Sequence, residues 1–173
     1  MNRQIALFRG INVGGYNIIK MTELKSILES IGLENVRSYI QSGNVVFDSD
    51  LSNLEPVIQN KIKEAFNIEC KVLLLDYLEL KKLVDKSPYK NMDAKSQHFF
   101  FLKDSPNDID LSKFESIKAI DEEFTVTDRV FYLLAPSGIG RSKLAAKVEK
   151  ILGVVTTARN RNTINKILTM CEN

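Results

Sequence analysis

Apolar positions recur along this chain in two successive runs with the same order of periods. Residues 4–9 form a short apolar run of β type. Thr22 then stands where a helix cap is expected, and Leu24, Ile27, Leu28 and Ile31 fall on one helical face that Gly32 ends. Residues 36–41 and 44–48 read as two strands joined at Ser42-Gly43, a two-residue hairpin signal. Leu54, Val57, Ile58, Ile62, Ala65 and Phe66 mark an amphipathic helix, and residues 70–75 a further strand. The order is β-α-β-β-α-β, the ferredoxin-like unit.

The second half repeats it. A connecting helix over 78–84 stops at Ser87-Pro88, and an aromatic-rich strand follows at 97–102. A helix is expected over 110–120, strands over 124–127 and 130–134 around Asp128-Arg129, a helix over 143–152, a strand over 154–157 and a last helix over 162–170. The pattern thus predicts an α+β chain of two tandem ferredoxin-like units. The first takes residues 1–76, a helical linker 77–95, and the second 96–173 with an added C-terminal helix. The halves share an order of elements without obvious identity of residues.

This topology pairs the polar loops. In the first unit the loop after strand one shares a sheet end with the hairpin after strand two, placing Arg9 to Gly15 beside Gln41 to Asn44. In the second, the loop after strand three and the exit of strand four share an end, placing Gly138 to Lys143 beside residues 157–163. Within the first hairpin, Gln41 is expected opposite Asn44 and Arg37 opposite Asp48, with Val36, Ile40, Val45 and Phe47 on the helix-packed side.

Composition narrows the class. A length of 173 residues with 44% hydrophobic positions supports one large domain or two small ones. No apolar run approaches the roughly 20 residues of a membrane span, and the start around Ile5 to Phe8 is too short for a secretory signal because Arg9 breaks it. Cys70 and Cys171 lack metal-like spacing, so a reduced, cytoplasmic protein without a metal site is expected. The formal charge of +2 is uneven. Residues 137–173 carry seven basic side chains against Glu149 and Glu172, a balance of +5. Such a segment suits an anionic partner, although a solvated helix face has the same composition.

Four loops carry the candidate chemistry. Arg9-Gly10-Ile11-Asn12-Val13-Gly14-Gly15 joins a strand-end guanidinium to two glycines able to form an anion nest, with Asn12 as a further hydrogen-bonding group. The competing account is a wide turn. Gln41-Ser42-Gly43-Asn44 serves either as a polar wall or as turn chemistry alone. Gly138-Ile139-Gly140-Arg141-Ser142-Lys143 is a glycine loop entering a helix with Ser142 as cap, an arrangement suited to phosphate, yet neither a Walker A nor a dinucleotide fingerprint. Arg159-Asn160-Arg161-Asn162-Thr163 precedes the last helix. Fixed cations there oppose the helix dipole, and an anion between the arginines would resolve the conflict. His98, the lone histidine, reads as structural, and Asp121-Glu122-Glu123 as a solvated turn. Strand three carries one aromatic residue, so RNA stacking on an aromatic platform is not expected.

Together, Ala6-Leu7-Phe8-Arg9-Gly10-Ile11-Asn12-Val13-Gly14-Gly15, Tyr39-Ile40-Gln41-Ser42-Gly43-Asn44-Val45-Val46-Phe47, Gly140-Arg141-Ser142-Lys143-Leu144 and Thr157-Ala158-Arg159-Asn160 resemble the bacterial domain-of-unknown-function 1697 family. That family commonly has an aromatic residue where this chain has Arg161. The resemblance implies a bacterial α+β protein of tandem ferredoxin-like units, and it implies no activity, substrate or cofactor. From the residues, the expected function is binding of an anionic, phosphorylated small molecule or nucleotide, with catalysis left open. The ligand-binding set is Arg9, Asn12, Gly14, Gly15, Gln41, Ser42, Asn44, Gly140, Arg141, Ser142, Lys143, Arg159, Asn160 and Thr163. The alternative is a nucleic-acid or protein-interaction module using the basic C-terminal surface.

Overall fold

The computed structural model describes all residues, Met1–Asn173. Eight strands and six α-helices follow one another as β1 (Asn2–Arg9), α1 (Met21–Ser30), β2 (Glu34–Tyr39), β3 (Asn44–Ser49), α2 (Leu54–Phe66), β4 (Lys71–Asp76), α3 (Tyr77–Asp85), β5 (Gln97–Leu102), α4 (Leu111–Glu115), β6 (Glu123–Val126), β7 (Val130–Leu134), α5 (Lys143–Leu152), β8 (Thr156–Asn160) and α6 (Arg161–Glu172). Two compact units result, one of Met1–Lys81 with Lys166–Asn173 and one of Lys82–Asn165.

In the first unit the antiparallel sheet runs β2-β3-β1-β4. Alternation along each strand sends Ala6, Phe8, Val45, Phe47 and Val72 into a core with Leu24 and Leu28 of α1 and Ile58 and Ile62 of α2. The second unit has the matching order β6-β7-β5-β8. Phe100, Leu102, Phe131 and Leu133 there pack on Leu144, Val148 and Leu152 of α5. The tandem ferredoxin-like architecture is therefore present, with mixed α+β content.

Local departures from the expected elements have identifiable causes. Between β2 and β3 the turn has four residues, not two, because the ladder closes with Tyr39 opposite Asn44. Asn44 is buried and donates through Nδ2 to the Tyr39 carbonyl and to Ser42 Oγ, both at 3.0 Å, which holds the wider loop. Gln41 therefore does not face Asn44. Ile40 turns outward and is half exposed, and an irregularity between Glu34 and Arg37 brings Arg37 opposite Val46 rather than Asp48. Gly43 has φ +73°, and a Cβ there would lie 2.6 Å from Phe8 Cβ. Only glycine fits that approach.

Thr22 lies inside the first turn of α1, and Lys20 occupies the cap position without a side-chain bond. The helix expected over 110–120 stops at Glu115, since Ser116 Oγ bonds back to the Lys113 carbonyl and Ile120, fully exposed, offers no apolar anchor. Glu122 is not solvated: it is buried and accepts from the Ala119 N–H at 3.0 Å. β8 starts later and runs further than expected. Arg159 and Asn160 are consequently strand residues, opposite Phe99 and His98.

Candidate functional site

At the first corner, Ile11 and Ile19 are both buried and anchor the two ends of a protruding loop. Asn12 (φ +52°) closes it. Its Nδ2 donates to the carbonyls of Ile19 (3.0 Å) and Gln41 (2.9 Å), and its Oδ1 accepts from the Ile19 N–H (2.8 Å). Further out, the Asn12 N–H reaches the Asn17 carbonyl and the Tyr16 N–H the Val13 carbonyl. Gly14 (φ +58°) and Gly15 (φ +81°) make the tip of this small hairpin, the geometry of a I′ turn. Asn17 Nδ2 also donates to the Gly10 carbonyl at 2.7 Å.

The structure thus brings the Arg9–Gly15 loop against the Gln41–Asn44 turn through the Asn12–Gln41 bond and the bond from the Phe8 N–H to the Gly43 carbonyl. It also shows how the polar groups are used. Both carboxamides, Asn12 and Asn44, are engaged by backbone and by Ser42. Arg9, Gln41 and Ser42 remain on the surface. The protruding tip is apolar: Tyr16 is 79% exposed, with Val13 and Ile18 beside it in sequence also exposed.

The second corner is more cationic. Gly138 (φ +93°) leads into a single 3-10 turn over Ile139–Arg141. Ser142 is buried and caps α5, its Oγ accepting from the Ala145 N–H at 2.9 Å. Gly140, Arg141 and Lys143 are exposed around that helix start. Gln97 pairs with Leu134 and His98 with Asn160, so the ends of β7 and β8 flank the start of β5.

Side chains at the β8–α6 junction differ in how they are engaged. Asn160 is structural: Nδ2 donates to the Lys95 carbonyl (3.0 Å) and Oδ1 accepts from the Asn162 N–H (2.9 Å), capping α6. Thr163 lies half-buried in the first turn of that helix. Arg159 is half-buried and donates through Nη1 to the Ala158 carbonyl at 2.7 Å, and burial pulls its guanidinium down to about 10. Arg161 bonds Asn165 Oδ1 through Nε at 2.8 Å and stands over the Phe99 ring, 5.8 Å from its centroid. Burial lowers this guanidinium too, against the attraction of Asp85. Its Nη1 is buried without an acceptor.

Arg161, which the expected ligand-binding set left out, opens α6 just after the strand residue Arg159, and the Arg-x-Arg spacing was the available signal. Behind the strand, His98 is 7% exposed with Nε2 free of hydrogen bonds, and burial lowers its pKa. Cys70 and Cys171 are free, and burial pushes both thiols up to about 11, which leaves little nucleophilic thiolate at neutral pH. No three metal-ligating side chains converge.

A protein family described as "Protein of unknown function (DUF1697)" matches residues 1–132. The chain belongs to this family. Among solved structures it is similar to the conserved bacterial protein SP0830 from Streptococcus pneumoniae, with 27% identity, a TM-score of 0.75, and coverage of 100% of this chain and 99% of that one. No curated protein matches. The family is thus one of unknown function, and no helix in this member is long and apolar enough to cross a membrane.

Proposed function

We propose that the protein binds an anionic, phosphorylated small molecule or nucleotide where β8 passes into α6 in the second unit. The observation that carries this reading is the Nη1 of Arg161, a buried guanidinium nitrogen with no acceptor, on the first residue of a helix. A cation in that place opposes the helix dipole by about 0.3–1 kcal/mol. Leaving its donor unmet costs about 1–3 kcal/mol more. Arg159, a second desolvated cation, lies two residues before it on the strand position in register with Phe99, whose ring Arg161 covers. A phosphate group reverses the sign of each of these terms, accepting from the guanidinium and complementing the helix start. Exposed Arg141 and Lys143, at the start of α5, add long-range attraction for the same charge.

A second reading is backbone-dominated nucleic-acid binding. It is favoured by Lys143, Lys147 and Lys150, which are exposed and recur at helical spacing along α5.

One thermal-shift screen separates the two, using inorganic phosphate, sugar phosphates, mononucleotides and short oligonucleotides. The first reading expects a discrete phosphorylated compound to raise the melting temperature, with Arg161→Ala and Arg159→Ala abolishing the rise. Stabilisation by oligonucleotides alone, weakened by Lys147→Ala and by salt, replaces it with the second. No stabilisation by any probe overturns both.

A further inference from the structure

The first unit holds another undercompensated arginine, away from the loops that the sequence singled out. A cleft of about 540 Å³ opens beside the edge strand β2 and the start of β1, lined by Arg3, Lys25, Glu29, Asn35, Arg37 and Asn173. Three cations line it, and two of them have a carboxylate. Lys25 Nζ lies 3.6 Å from Glu29 one turn along α1. Arg3 clasps Asp48 through Nε (2.8 Å) and Nη2 (3.1 Å), and its Nη1 donates to the Cys171 carbonyl at 2.6 Å.

Arg37 has neither. Its positive charge helps hold the Asp48 carboxyl below the usual carboxylate range, after the larger effect of the Arg3 hydrogen bonds. Yet both Asp48 oxygens are already engaged, Oδ1 by Arg3 and Oδ2 by Arg3 and Asn35. The irregularity of β2 between Glu34 and Arg37 sets Arg37 opposite Val46, diagonal to Asp48 rather than across from it. Arg37 Nε is buried with no acceptor. Two cations of the cleft are therefore held in close ion pairs, while Arg37 has no such pair and its Nε–H has no acceptor.

We infer that this cleft is an oxyanion site, separate from the one at β8–α6, with Arg37 as its anchoring cation and a small molecule bearing one carboxylate or phosphate group as its ligand. One guanidinium with an unmet donor and no close ion pair calls for one oxyanion acceptor. Partial shielding from water strengthens that attraction relative to an exposed arginine. Arg3 is a positioning residue: by saturating Asp48 it prevents the obvious internal partner from closing on Arg37. Lys25, exposed on the rim, adds attraction without being held in place by burial.

The test uses the full-length protein with ¹⁵N-labelled arginine. Nε–H signals are followed during titration with sodium phosphate and sodium acetate at constant ionic strength, with sodium chloride as control. The signal identified by its loss in Arg37→Lys, a variant that keeps the charge, is expected to shift saturably with phosphate or acetate and to stay in place with chloride. Which probe saturates at lower concentration distinguishes phosphate from carboxylate chemistry. By calorimetry, Arg37→Gln is expected to weaken binding of that probe about tenfold or more, as for loss of a charge-assisted hydrogen bond, whereas Arg161→Gln leaves it unchanged. A shift that never saturates, an equal response to chloride, or undiminished affinity in Arg37→Gln overturns the site. Loss of the response in Arg161→Gln with retention in Arg37→Gln assigns the anion to the second unit and overturns it as well.

Discussion

The two units share a topology and differ in what they do with polar side chains at their sheet ends. In the first, Asn12 and Asn44 turn their side-chain donors toward backbone or a neighbouring hydroxyl, and the result is a hydrogen-bonded loop with an apolar tip. In the second, caps are supplied by Ser142 and Asn160, while Arg161 is left with an unmet donor and Arg141 and Lys143 face solvent. Polar composition alone therefore does not mark a ligand site. What matters is whether backbone groups have already taken up the hydrogen-bonding capacity. An amide, with both donor and acceptor, satisfies a loop readily; a guanidinium, with donors only, needs acceptors that a crowded sheet end does not always provide.

The largest effect expected from breaking this contrast lies at the glycines. Gly43→Ala places a methyl 2.6 Å from Phe8 Cβ and 2.8 Å from Ile11 Cδ1, at φ +73°. Neither the backbone-proximal Phe8 Cβ nor the left-handed conformation yields cheaply, so about 3 kcal/mol or more of stability is lost. Gly138→Ala, at φ +93° with open space around it, loses only about 1 kcal/mol. Urea denaturation of both variants measures the difference; equal losses would show that close packing at Gly43 is not what the first corner depends on.

Next in size is the pair Asn12→Ala and Arg161→Ala. Removing Asn12 deletes three hydrogen bonds and leaves the Ile19 N–H without its partner, a loss of about 2–3 kcal/mol. Arg161→Ala removes a bond to Asn165 together with an unmet buried donor, so its stability stays within about 1 kcal/mol of wild type. A large stability loss in the arginine variant, read from the same denaturation curves, would collapse the distinction between loop clamp and open cation.

The smallest effect is in pH. Burial keeps His98 neutral in the fold, with a pKa below its ordinary value of 6.5. The unfolded chain therefore takes up a proton first as pH falls through about 6.5, and stability drops from there downward. Asp48 works in a lower window. Arg3 holds its carboxyl below the usual carboxylate range, so its contribution is complete above that range and is lost as pH falls through the lowered folded value. Stability measured from pH 7 to pH 3 should fall first through the histidine and later through the carboxylate. His98→Phe is expected to flatten the upper limb alone; an unchanged profile would mean that His98 is not held neutral.

Much of the fold was legible because burial imposes a period. The bounds of α2, α5, β5 and β7 lie at or beside those that alternation and helical spacing predict. The elements that moved did so where side chains compete with backbone. Ser116 ended α4 early, and Asn44 widened the β2–β3 turn. The pairing of loops at the first corner was legible from topology, and the Asn12–Gln41 bond joins them. Arg37 was not, because its lack of a partner depends on a strand irregularity and on Asp48 being filled by Arg3 from another strand.

Sequence by itself settled the order of elements, the two repeated units and the strand ends at which glycines and arginines would gather. These follow from local periodicity and from the few ways of closing a β-α-β-β-α-β unit. Tertiary structure alone decided which of those polar groups are engaged and which are left over. That outcome depends on hydrogen bonds between residues far apart in the chain, such as Asn12 with Gln41 and Arg3 with Asp48, whose distances no local pattern encodes.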